Sequence, residues 1–164
     1  MGPGDKATES DIQLGFELGK LIAEEGWVLL SGGRNAGVMD SVNKGAKSAN
    51  GLTVGIIPRP TDGISDAVDL VIMTDMGSAR NNINVLSSDV VISCGVGAAG
   101  TASEIALTLK AKKHVILLNE SPEGQAYFKK IGKDLVYLAT NPQGAIAITK
   151  ELLVGKGYNR SERG

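Results

Sequence analysis

The sequence predicts an α/β domain, a Rossmann-like three-layer α/β/α arrangement around a mostly parallel sheet. Three observations carry this. Short runs such as Trp27-Val28-Leu29-Leu30 and 115–118 are apolar without interruption, as strands covered on both faces require. Segments with apolar residues at helical spacing alternate with them. The glycines, 22 in 164 residues, gather mostly at the junctions between these segments, which marks tight turns rather than a flexible chain.

The elements follow in order. Ser10 and Gln13 have capping-box spacing and predict a helix start at Ser10. Leu14, Leu18, Leu21 and Ile22 then share one face, and Gly26 supplies a left-handed stop. A strand at 27–30 leads through Ser31-Gly32-Gly33-Arg34-Asn35 into a helix with Val38, Met39, Val42, Ala46 and Ala49 at helical spacing. Strands are expected at 52–57 and 68–73, a helix at 78–87 and a strand at 89–93. The glycine-alanine turn 95–100 opens a helix at 101–112, with Ala102, Ile105, Ala106 and Leu109 facing inward. Strands at 115–118 and 135–138 follow, and Asn141-Pro142 starts the closing helix as cap and first-turn proline. One ligand-binding domain is expected over 1–155, with a polar tail at 156–164. Met1-Gly2-Pro3-Gly4 looks like a phosphate-type turn. Such turns ordinarily follow a strand, so the sequence is expected to begin just after its first one.

Composition narrows the function classes. A formal net charge of −1 with dispersed Lys and Arg gives no basic stripe, so nucleic acid is not an expected partner. Cys94 is the one cysteine, which leaves no internal disulfide and no cysteine-based zinc site. No apolar stretch is long enough to span a membrane, and the N-terminus lacks the pattern of a signal peptide. A cytoplasmic location is expected, and no metal site.

Three glycine-rich turns each lead into a helix: Gly2-Pro3-Gly4, Gly32-Gly33, and Gly95-Val96-Gly97-Ala98-Ala99-Gly100-Thr101. Backbone N–H groups without side chains in the way approach an anion closely, and a helix N-terminus adds partial positive charge. In an open parallel sheet such turns share the edge at the strands' carboxyl ends, where ligands bind. The expected ligand carries a phosphate or another oxyanion. The turns are neither a P-loop nor a clean dinucleotide fingerprint.

Arg80, at the start of a helix after a strand, belongs at the same edge, where its planar guanidinium suits phosphate or carboxylate. Asn81 and Asn84 are weaker candidates, explained nearly as well by turn or capping roles. Arg34 and Asn35 follow Gly33 and can reach the same ligand. Glu104 has two readings. Thr101-Ala102-Ser103-Glu104 has the form of a capping box, and a carboxylate beside an anion site can also act as acid or base, or orient Arg80. His114 and Cys94 read as packing residues.

The segments 31–39, Gly77-Ser78-Ala79-Arg80-Asn81 and 97–104 resemble the motifs of the Lonely Guy phosphoribohydrolases, once labelled lysine decarboxylase-like. That resemblance implies release of a base from a riboside monophosphate, with Arg80 and Glu104 at the matching catalytic positions. Val96 stands where that motif has proline, Ala98 where it has its second glycine, and Asn81 where a charged residue usually follows the arginine. Met1-Gly2-Pro3-Gly4, Gly19-Lys20, Gly26-Trp27, Gly45-Ala46-Lys47, Ile64-Ser65-Asp66-Ala67-Val68-Asp69 and Leu109-Lys110-Ala111-Lys112-Lys113 are similar to the small molybdenum cofactor carrier proteins of algae and cyanobacteria. This second resemblance runs from Met1 to about Leu153. It implies a protein that binds the molybdopterin form of molybdenum cofactor, and molybdate as a related oxyanion, without turnover. It also implies molybdoenzymes as recipients and a homo-oligomer, a tetramer in the carriers. The implied ligand contacts are Gly2, Gly4, Gly32, Gly33, Arg34, Asn35, Arg80, Asn81, Gly97, Ala98, Gly100, Thr101 and Glu104.

Overall fold

Parallel pairing explains the apolar runs. The computed structural model describes residues 1–95 and 99–155. Among them the order is α1 (Glu9–Glu24), β1 (Leu29–Ser31), α2 (Gly37–Ser48), β2 (Thr53–Ile57) and β3 (Leu70–Met73). A 3₁₀ turn, Gly77–Ala79, then runs into α3 (Arg80–Ser87). β4 (Val91–Cys94), α4 (Ala99–Lys110), β5 (Val115–Leu118), α5 (Pro122–Gly132), β6 (Val136–Ala139) and α6 (Pro142–Gly155) complete the chain. The strands form two three-stranded parallel sheets, β1-β2-β3 and β4-β5-β6. Met1 lies beside β4 as a parallel neighbour would: its ammonium donates to Ile92 O at 2.7 Å, and Cys94 N donates to Met1 O at 2.7 Å.

Helices cover both faces. On one side Leu18, Ile22, Val42 and Ile146 from α1, α2 and α6 pack with Leu29, Ile116 and Leu118, so one core layer spans the two sheets. On the other, Ile105 and Phe128 close over Val91, Val115, Leu117 and Val136. The α1–α2 crossing is close because of its glycines. A Cβ at Gly19 would stand 2.9 Å from Ala46 N and run into the Val42 carbonyl. Ser41 Oγ donates to Ile12 O across the same crossing.

Several elements differ from expectation. α1 is capped by Thr8, not Ser10: Thr8 Oγ1 accepts from Asp11 N at 3.1 Å and Thr8 N donates to Asp11 Oδ2 at 3.0 Å. A carboxylate is a stronger acceptor than the amide of Gln13, which decides between two boxes of equal spacing. α5 was not expected, because it buries only Phe128 and Gly132 and so shows little apolar periodicity. Its signal is the Ser121-Pro122 start, where Ser121 Oγ accepts from Gly124 N at 3.1 Å. The strand expected at 68–73 is present as β3, at an exposed edge of its sheet. Leu70, Val71, Ile72 and Met73 are 54, 46, 48 and 43 % exposed, so both faces of β3 are about half open. The tail at 156–164 lies outside the described residues, among which no helix is long and apolar enough to cross a membrane.

Candidate functional site

Since each sheet is parallel, the turns after its strands leave from one edge. The turn after β1 carries Gly32, Gly33, Arg34 and Asn35, and the segment after β3 carries Arg80 and Asn81. The turn after β4 leads to Gly100, Thr101 and Glu104; Gly97 and Ala98 lie outside the described residues. Gly2 and Gly4 continue past the carboxyl end of β4, where Pro3 O accepts from Val38 N at 3.0 Å and Gly4 O from Ala7 N at 2.9 Å. Pro3 therefore occupies the N-terminus of α2, and Thr8 with Asp11 closes that of α1. The Gly2-Pro3-Gly4 turn thus anchors α2 through its Pro3 carbonyl and packs against the carboxyl end of β4.

Arg80 is the centre of the edge. It is 8 % exposed, and its guanidinium reaches across to the turn after β1. A Cβ at Gly32 would stand 2.7 Å from Nη2 and 2.6 Å from Met39 Sδ, so only glycine leaves room for the guanidinium there. Nη2 has Met39 Sδ at 4.0 Å, while Nε and Nη1 are buried without any hydrogen-bond partner. Ion pairs join Lys20–Glu24, Lys44–Asp40, Lys47–Asp69 and Lys150–Glu25, and none of these involves Arg80. Burial pushes the Arg80 guanidinium below its usual range; Glu104 opposes that, Arg34 adds to it and Asp62 opposes it. A buried cation whose donors are unspent is costly, and an anionic ligand is what satisfies it.

Glu104, also 8 % exposed, sits one helix away on α4. Burial raises its carboxyl above the ordinary value, against the Met1 ammonium, Arg80 and a hydrogen bond from Asn84. The capping-box reading of 101–104 is not realised. α4 begins at Ala99, so Thr101 is already inside the first turn, and its buried Oγ1 has no partner. Ser103 Oγ instead donates to Gly100 O at 2.7 Å.

The remaining candidates divide. Arg34 Nε is buried without a partner, and the Arg34 backbone forms an antiparallel bridge with Ile64. Asn35 N donates to Gly63 O at 3.1 Å and its side chain packs on Gly63, so Asn35 holds the 58–69 loop rather than presenting a free amide. Asn81 is buried in the first turn of α3. Sequence reasoning missed Met39 beneath the guanidinium, Asp62 acting on it, and Ser93, whose Oγ is buried and unpartnered. Ser93 had one signal, a hydroxyl near the end of an otherwise apolar strand. Cys94 and His114 are packing residues as expected: burial pushes the Cys94 thiol up to about 11, and His114 meets Tyr137 edge-on at 5.6 Å. Among the described residues no His, Cys, Asp and Glu cluster could hold a metal ion.

A family model described as the SLOG cluster4 family matches residues 1–146. The chain belongs to the SLOG cluster4 family. Its fold is shared with a molybdenum cofactor binding protein from the phototrophic bacterium Rippkaea orientalis, at 53 % identity and a TM-score of 0.90 over 93 % of this chain and 94 % of that one. The molybdenum cofactor carrier protein of Chlamydomonas reinhardtii superposes with a TM-score of 0.89 at 50 % identity, covering 94 % of this chain and 95 % of the other. A cytokinin riboside 5'-monophosphate phosphoribohydrolase of Mycobacterium tuberculosis is 34 % identical over 91 residues, 52 % of this chain and 49 % of that enzyme. The SLOG cluster4 chain is thus similar at full length to proteins that bind or carry molybdenum cofactor, and over half its length to a hydrolase.

Proposed function

We propose that this SLOG cluster4 protein binds molybdenum cofactor and carries it, without turnover, to molybdoenzymes in the cytoplasm. The observation that carries the reading is the buried Arg80 guanidinium with Nε and Nη1 unspent; the Thr101 hydroxyl on α4 is likewise buried and unpartnered. These are donors, and the cofactor's phosphate and oxo-molybdenum ends offer acceptors of matching charge. Arg80, Arg34, Thr101 and the glycine turns would hold such a group, and molybdate alone fits the same donors. Full-length similarity at 50–53 % identity to proteins that bind or carry this cofactor supports the choice of ligand.

The second reading is a nucleoside 5'-monophosphate phosphoribohydrolase. It is favoured by one observation, the retention of Arg80 and Glu104 as two buried charged groups at one edge. Incubation with AMP and with cytokinin riboside monophosphates separates the two. A carrier releases no free base while binding molybdate or cofactor at micromolar levels or tighter, about −8 kcal/mol. Efficient base release that Glu104→Ala abolishes would make the protein an enzyme.

The carrier is a homo-oligomer in this reading, a tetramer by its likeness to the carriers. β3 supports association, because parallel strands are ordinarily covered on both faces and its four apolar residues are open on both. Light scattering at the monomer mass of 17.0 kDa would remove this part.

A further inference from the structure

Each strand of the first sheet is followed by an arginine: Arg34 after β1, Arg59 after β2 and Arg80 after β3. Arg59 is the exposed member of the three, and among the described residues its guanidinium has no ion-pair or hydrogen-bond partner. It nevertheless has a fixed place. Pro58 and Pro60 flank it and restrict the backbone on both sides. The pairing of β2 with β3 continues past the strand ends: Thr74 N and Thr74 Oγ1 donate to Ile57 O at 3.1 and 2.9 Å, and Gly77 N donates to Pro58 O at 3.0 Å. Asp62 N closes the turn onto Arg59 O at 3.1 Å. The Arg59 guanidinium lies against Gly77, where a Cβ would stand 3.7 Å from Nη2 and 3.9 Å from Nε. Arg80 reaches the other way along the edge, to Gly32. Gly32 follows β1 and Gly77 follows β3, with β2 between them. Two strand spacings therefore separate the two guanidinium groups, about 10 Å.

We propose that Arg59 contacts a second anionic group of the ligand, so that this edge prefers a molecule carrying two separate anions to a lone oxyanion. The proposal rests on the reading of this edge as an oxyanion site and adds what selects the longer ligand. Arg80, buried with Nε and Nη1 unspent, takes one group at the inner end. Arg59 takes the other at the solvent end. Once the first group is seated, the second meets its partner at a high effective concentration. A single small oxyanion cannot reach both guanidinium groups, so it gains from one contact only. Molybdenum cofactor has the required form, with a phosphate at one end and an oxo-molybdenum group at the other. The exposed contact adds a small, salt-screened increment to binding. Arg80 thus supplies affinity common to all oxyanions, and Arg59 the preference for the two-anion ligand.

Titration of the intact protein with two probes tests this: molybdate, and molybdenum cofactor released anaerobically from a purified molybdoenzyme. Arg59→Gln should lower affinity for the cofactor roughly 2- to 5-fold relative to that for molybdate, the worth of an exposed ion pair. Arg59→Lys should restore the ratio, because an exposed contact depends on charge more than on the guanidinium fork. The gap between wild type and Arg59→Gln should close at about 1 M salt, where the screening length falls to about 3 Å. Equal cofactor affinity in wild type and Arg59→Gln, or an equal fall for both probes, overturns the proposal. Arg80→Ala separates the two levels. Unchanged affinity for both probes in Arg80→Ala overturns the oxyanion reading of this edge; loss of both, with Arg59→Gln indistinguishable from wild type, removes the second contact alone.

Discussion

The Arg80 guanidinium occupies the volume that a Cβ at Gly32 would need, and Met39 Sδ, 4.0 Å from Nη2, borders the same space. This pair joins the start of α3 to the turn after β1, two strands away in the sheet order. Gly32→Ala should therefore dislodge the guanidinium. The atoms in the way are the ends of two flexible side chains, so denaturant unfolding should show little loss of stability, while ligand affinity should fall because the guanidinium has moved. Unchanged affinity in a folded Gly32→Ala protein would mean that the seat of Arg80 is unimportant for binding.

Arg80→Ala should lower affinity for molybdate by roughly 10- to 150-fold, the loss of a charge-assisted contact of about 1.5–3 kcal/mol. Arg80→Lys should recover only part, because a point charge lacks the two-pronged geometry. Titration calorimetry on all three proteins reads this, with circular dichroism as the check on folding.

Thr101→Val tests a trade between stability and binding. The Thr101 hydroxyl is buried without a partner, so replacing it by a methyl should leave the free protein as stable or up to about 1–3 kcal/mol more so. Oxyanion affinity should fall roughly 2- to 12-fold, the worth of a neutral hydrogen bond at about 0.5–1.5 kcal/mol. A loss of stability would show that the hydroxyl serves the fold instead.

Most of the architecture was legible in the sequence because parallel strands and amphipathic helices leave strong local patterns. β5 and the Pro142 start of α6 fall where apolar runs and a proline placed them. What was not legible depends on tertiary choice. Thr8 and Ser10 both head capping boxes, and only the buried Asp11 decides between them. β3 was legible as a strand, but the exposure of its four apolar side chains was not, because coverage depends on which helices pack nearby. At the site, Arg80 and Glu104 were visible as charged residues near glycine turns. Met39 was not, because a methionine at helical spacing looks like core, and Asp62 was hidden in a loop without periodicity.

The raised carboxyl of Glu104 has a consequence for stability. A native acid with a raised value holds its proton longer than the unfolded chain does, so its contribution is full below the ordinary carboxylate value. That contribution is lost as pH rises from there through the raised value. Glu104→Gln should gain stability relative to wild type as pH climbs through that window, measured by urea unfolding of the unliganded proteins. A difference independent of pH would contradict the burial of an ionisable Glu104.

The most direct measurement is the pterin content of protein purified from a host that makes molybdenum cofactor, read as fluorescence after oxidation. Wild type should release oxidised pterin in proportion to protein, and Arg80→Ala, purified in parallel and folded, should release little. Absence of pterin from wild type, or equal yields from both proteins, would contradict a cofactor held at Arg80.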